Sequence, residues 1–245
     1  MNNISNQLIN CPVFVYHHIK PEDEYMMFST TAKKLDRDIQ TLLMKGYKSV
    51  SLKTIFESIQ GKNELPEKSF CITFDDGYEC NYHLGYPILK KYNVYGDIFI
   101  STDSVGAKTH PSIPDFIPHF SWEQALVMQN SGLIKIHSHG HCHEPNNEMP
   151  SDLFDENVRT SLALIQNHLG STDIKAYAYP YSEFNAQTNE KLNDLGFGLL
   201  MIACWKNSKE FLKQGCIGRI EADFDIDIMD MVEAFKCLSK KSFEK

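Results

Sequence analysis

The sequence predicts an α/β protein, a closed or nearly closed (β/α) barrel of seven or eight parallel strand–helix units. Three observations carry this expectation. Short β-rich runs alternate with amphipathic helices along the chain, the helices are long enough for right-handed crossovers, and the outlying polar residues fall just after strands. The 245 residues, 42% apolar and 11% aromatic, are enough to bury a substantial core, and 23% charge excludes a disordered chain. No Pro/Ser/Gly-rich linker divides them, so residues 1–245 read as a single domain. A doubly wound open sheet is the alternative.

Taken in order, Val13-Phe14-Val15-Tyr16 reads as the first strand. The stretch Thr31 to Lys45 follows as a helix, with an apolar stripe at Leu35, Ile39, Leu42 and Leu43 that Gly46 stops. Ser49-Val50-Ser51-Leu52 reads as the next strand, before a short helix near Ile55 to Ile59. Further strands fall at Phe70 to Phe74, Asp97 to Ser101, Leu133 to His137, Ala176 to Tyr179, Leu199 to Ala203 and Cys216 to Ile220. Helices separate them near His83 to Tyr92, Ser121 to Asn130, Asp152 to Leu169 and Asn185 to Leu195, and one more follows at Asp227 to Leu238. His17, Asp75 with Asp76, a histidine cluster and Tyr181 each follow a strand, which in a barrel is the C-terminal rim where active sites sit.

The charge balance of 24 basic and 32 acidic residues gives a net of −8. Such a field repels polyanions, so nucleic acid and anionic membrane surfaces are poor partners. Neither a signal peptide nor a membrane-spanning run is legible, and seven cysteines without a CxxC pair suit reduced thiols. The expected location is therefore cytoplasmic.

Two adjacent carboxylates, Asp75-Asp76, end an apolar strand and precede Gly77. Side chains alternate along a strand, so both could serve one site only if the backbone turns there, as Gly77 permits. Four of the ten histidines fall within His137-Ser138-His139-Gly140-His141-Cys142-His143. His139 and His143, four apart, could bring two imidazoles to one cation, and Gly140 and Pro145 argue for a loop rather than a helix. Cys142 is a further candidate ligand. An Asp plus two His would make an open site for zinc first, with cobalt, nickel, manganese or iron also suited. His17-His18 ends the first strand, where one ring would face the pocket and the other would pack, and Tyr179-Pro180-Tyr181 stops another strand.

Together, Tyr16-His17-His18-Ile19, Thr73-Phe74-Asp75-Asp76-Gly77, Ser138 to His143 and Tyr179-Pro180-Tyr181 resemble the motifs of the polysaccharide deacetylases, the NodB-homology group or carbohydrate esterase family four. The resemblance runs from about Val13 to Ile220 and implies a deformed (β/α) barrel of about seven parallel strands carrying a mononuclear metal-dependent N-deacetylase. It assigns Asp75 as catalytic base, Asp76, His139 and His143 as metal ligands, and the Tyr181 backbone N–H to the oxyanion hole. No histidine follows His168, so the chain is similar to the branch with permuted motif order, in which a Tyr-His near the N-terminus supplies the acid. That implies His17, with His18 as its rival. Ala178 stands where many members have an arginine, Ser182 where glycine is usual, and no Asp-Trp motif matches. Arg219, ending the last strand, is expected to take the place of the missing arginine beside Asp75.

The expected reaction is hydrolysis of an N-acetyl group on an amino sugar, an N-acetylated saccharide or a small molecule. Hydrolysis of another amide or a cyclic imide, or a catalytically silent carbohydrate-binding relative, are the alternatives. Without a legible export signal, a cytosolic saccharide is favoured over a wall polymer.

Overall fold

The computed structural model describes residues 3–21, 28–108, 117–171 and 173–244. In chain order the elements are α1 (Asn3–Ile9), β1 (Val13–Tyr16), β2 (His18–Lys20), β3 (Ser29–Thr31), α2 (Ala32–Met44), β4 (Lys48–Ser49), α3 (Leu52–Ile59) and β5 (Ser69–Phe74). There follow α4 (Tyr86–Tyr92), β6 (Gly96–Ile100), α5 (Trp122–Asn130), β7 (Ile134–Ser138), α6 (Ser151–Leu169) and β8 (Ala176–Ala178). The chain continues through α7 (Ala186–Asp194), β9 (Leu199–Ala203), α8 (Lys209–Lys213) and β10 (Cys216–Glu221) to α9 (Ile228–Glu244).

Strands β5 to β10 pair in sequence order and all in parallel, and β1 joins β10 to β5, so seven strands close a barrel. The open-sheet alternative is thereby excluded. The ring is deformed: β7 and β8 share one register pair, Ser138 with Tyr177, whereas β6 and β7 share five. β4 hangs on the outer edge of β5 and is shorter than the sequence suggests, because Ser51 caps α3, its side chain accepting from the Thr54 N–H, and Leu52 already belongs to that helix. The periodicity gave no warning of α1, α8 or the two-stranded β2–β3 unit, each only three to seven residues long.

Alternation along the strands divides the core. Val13, Cys71, Phe99, Ala178, Met201 and Ile217 form one cluster inside the ring and over its floor, where α1 contributes Leu8 and α3 contributes Ile55. Their strand neighbours Phe14, Ile72, Ile98 and Ile136 pack outward against Leu35 and Ile39 of α2, Leu89 of α4, Met128 of α5 and Phe235 of α9. Of the predicted α2 stripe, Leu35, Ile39 and Leu42 are buried and Leu43 is partly buried, and Thr31 caps the helix, its side chain accepting from the Lys34 N–H. Two residues beyond Cys71 and Ile217 on the same inward-facing rows come Thr73 and Arg219. The apolar filling of the ring therefore gives way to polar side chains at its C-terminal end.

Candidate active site

β5 is buried throughout and ends at Phe74. Asp75 continues the sheet, its N–H donating to the Tyr16 carbonyl at 3.0 Å, and then Asp76 and Gly77 adopt left-handed φ values of 70° and 82°. This turn lets both carboxylates line one cavity. Glycine is required at 77 twice over, since a Cβ would also lie 2.9 Å from Ile100 Cγ2.

The histidine cluster leaves β7 as a loop, with Gly140 at φ 91°. Asn157 of α6 pins it, Oδ1 accepting from the N–H groups of His141 and Cys142 at 2.7 and 2.8 Å. His139 is buried and its Nδ1 donates to the Ala178 carbonyl at 2.7 Å, which fixes the tautomer and leaves Nε2 with a lone pair. Burial holds this imidazole neutral, its pKa lowered to about 4. Nε2 of His139 and Nε2 of His143 lie 3.6 and 3.3 Å from Asp76 Oδ1. Yet among the described residues Asp76 Oδ1 is buried with no hydrogen bond of good geometry. A lone-pair nitrogen facing an orphaned carboxylate oxygen is costly unless a cation lies between them. All three donor atoms are within 4.8 Å of one another, so Asp76, His139 and His143 fit a divalent ion with nitrogen and oxygen ligands.

Two further pairs flank this trio. Both oxygens of Asp75 accept from the Arg219 guanidinium at 2.7 Å, and Arg219 NH1 also donates to Thr73 Oγ1 at 3.3 Å. Burial would raise the Asp75 carboxyl, but Arg219, with His139 and His17, brings it below the ordinary carboxylate value. Across the cavity His17 Nδ1 bonds Asp223 Oδ2 at 2.6 Å, and the His17 N–H donates to Asp223 Oδ1 at 3.2 Å. Burial disfavours the charged imidazole, but the hydrogen bond and charge of Asp223, with Asp76 and Asp75, outweigh it and raise His17 to about 9.

Tyr181 and Ser182 follow Pro180 with left-handed φ values of 55° and 57°. The Tyr181 hydroxyl meets His143 Nδ1 at 3.1 Å. Ser182 tolerates this glycine-like conformation while its hydroxyl accepts from the Ala203 N–H at 2.6 Å, tying the loop to the end of β9. Asp75, Asp76, His17, His139, His143, Tyr181 and Arg219 all line one cavity of about 510 Å³.

Other candidates fall differently. Cys142 lies outside the donor trio and directs its thiol to Asn157 Oδ1 at 3.3 Å. His137 is buried against Asp97 at 2.7 Å, and His141 meets Thr102 Oγ1 at 3.0 Å. His17 and His18 both line the cavity, rather than one facing it and one packing away, because His17 sits at the break between β1 and β2. Among the described residues His18 has no counterpart to Asp223: its Nδ1 is buried with no hydrogen-bond partner there, and burial lowers its pKa. Asp223 itself escaped the sequence reading, although an aspartate just past a strand end was the available signal.

A family model for polysaccharide deacetylases matches residues 62–200, more than half of the chain. The chain belongs to the polysaccharide deacetylase family. His17 and Arg219 lie outside the matched segment. This deacetylase-family chain is 28% identical over 188 residues to YxkH of Bacillus subtilis (strain 168), covering 76% of this chain and 62% of the relative. It is 29% identical over 181 residues to a poly-beta-1,6-N-acetyl-D-glucosamine N-deacetylase of Staphylococcus aureus (strain MSSA476), covering 70% and 60%. The chain thus spans about three fifths of the length of these curated relatives. Its fold matches that of Streptococcus pyogenes deacetylase PplD, solved in complex with acetate, with a TM-score of 0.81 at 18% identity over 92% of this chain and 97% of that one.

Proposed function

We propose that residues 1–245 act as a single catalytic domain, a metal-dependent hydrolase that removes an N-acetyl group from an amino sugar or N-acetylated saccharide. The observation that carries the reading is the orphaned Asp76 oxygen facing two imidazole nitrogens, flanked by one carboxylate paired with arginine and one imidazole paired with carboxylate. Asp76, His139 and His143 would hold a divalent ion, zinc first, which when bound polarises the acetyl carbonyl and acidifies a water. Asp75, kept ionised and oriented by Arg219, accepts the proton of the attacking water. The Tyr181 backbone N–H supports the oxygen on which negative charge develops. His17, kept protonated by Asp223, delivers a proton to the departing amine as the C–N bond breaks, so acetamide and water become acetate and amine.

The names of the relatives favour a polymer or oligomer of N-acetylglucosamine over the small cytosolic saccharide expected from the sequence. The test is metal analysis of untagged protein, followed by acetate release from β-1,6-linked N-acetylglucosamine oligomers with added zinc, cobalt or nickel. Stoichiometric metal and acetate are expected, with Asp75→Asn and His17→Ala reducing release by about 10² or more. Saccharide binding without metal or acetate would overturn the hydrolase reading in favour of a silent binding protein, and turnover of imides alone would overturn the substrate class.

A further inference from the structure

α2 carries a lysine where a helix least favours one. Lys34 lies in its first turn, near the positive end of the helix dipole, and is 6% exposed. Its Nζ donates to Asp38 Oδ2 at 2.6 Å and to the Ala222 carbonyl at 3.0 Å. Asp38 Oδ2 also accepts from the Tyr16 hydroxyl at 3.1 Å. Among the described residues, the other charged groups near the pair are Arg37, whose Nε is 3.9 Å from Asp38 Oδ1, and Asp223, which acts on Tyr16; the titratable groups facing His17 are Asp223, Asp76, Asp75 and His143.

Tyr16 immediately precedes His17, and Ala222 immediately precedes Asp223. One buried pair on α2 therefore grips the residue before each half of the His17–Asp223 contact, while the Ala222 N–H donates to the Val15 carbonyl at 2.9 Å and closes the triangle. A buried ion pair is a poor device for stability, since apolar residues of similar volume often serve as well or better. It is a good device for fixing where two backbones stand. We propose that Lys34 and Asp38 are positioning residues that set the register of His17 against Asp223, acting through Ala222 and Tyr16. The proposal rests on His17 being the proton donor.

The test is the double variant K34M/D38L, which fills the same space without charge, assayed on the N-acetylglucosamine oligomer and on 4-nitrophenyl acetate, whose phenolate leaves without needing a proton. Amide kcat is expected to fall about 10-fold with KM and ester hydrolysis changed by less than about twofold, and the basic limb of the amide pH profile to move to lower pH. Wild-type amide kcat and pH limb, or equal losses on amide and ester, would overturn the positioning role. His17→Ala is run beside it. If that variant loses amide turnover selectively and K34M/D38L does not, the pair alone fails; if it shows no selectivity, the reading of His17 fails and the pair with it. Asp38→Asn gives the same readouts should the double variant not fold.

Discussion

Asp75 and Arg219, 144 residues apart, meet as a two-pronged ion pair at 2.7 Å on each prong, over the strand β1 that lies between their own strands. Arg219 is 1% exposed and its guanidinium carbon lies 5.4 Å from the Phe99 ring centroid, so the pair is fixed from beneath by the packed interior. Arg219→Ala strands a buried carboxylate. The expected result is a stability loss of about 3–5 kcal/mol by thermal unfolding. Acetate release should fall by about 10² or more. Arg219→Lys keeps the charge but not the fork and should recover only part of the turnover. Unchanged turnover in Arg219→Ala would remove Asp75 orientation from the mechanism.

Asp223 sets the charge of His17. The acid form persists through neutral pH and is lost as pH rises through about 9. With Asp223→Asn, burial meets less opposition, so the basic limb of the rate profile should move to lower pH and turnover at pH 8 should drop about 10-fold. A limb that stays in place would assign it to another group.

The three donors differ in enclosure. His139 has a 3% exposed side chain anchored to the Ala178 carbonyl, whereas His143 is 33% exposed. His139→Ala and Asp76→Ala should therefore abolish stoichiometric metal in elemental analysis, while Asp75→Asn should retain it. Metal retained in His139→Ala would disprove the trio as the binding site.

The Tyr181 phenol touches His143 Nδ1, while the role proposed for Tyr181 in the reaction belongs to its backbone. Tyr181→Phe should weaken metal affinity by about 10-fold, as loss of a ligand's outer partner does. The kcat of the metal-saturated variant should remain close to wild type. A large drop in kcat at saturating metal would instead give the phenol a part in the chemistry.

The histidine cluster shows how far the residues alone reach. Their types and the intervening Gly140 marked His139 and His143 as ligand candidates on a loop, but only the position of Asn157 on α6 explains why the Cys142 thiol turns away from them. Asp-Asp-Gly likewise announced a turn, and the two consecutive left-handed residues are what bring Asp75 and Asp76 into one cavity.

By itself the sequence determined the parallel barrel, the strand ends at which chemistry gathers and the types of residue gathered there, because strand and helix periods and turn-forming residues are local properties. The Arg219–Asp75 pair, expected from the resemblance, is realised in the structure, and only the tertiary structure decided the other partners: Asp223 for His17, Ala178 for His139, and Lys34 behind Tyr16 and Ala222. Each of these joins residues distant in the chain, and ring closure is what sets β1 beside both β5 and β10. Such contacts depend on register and burial, which no local pattern encodes.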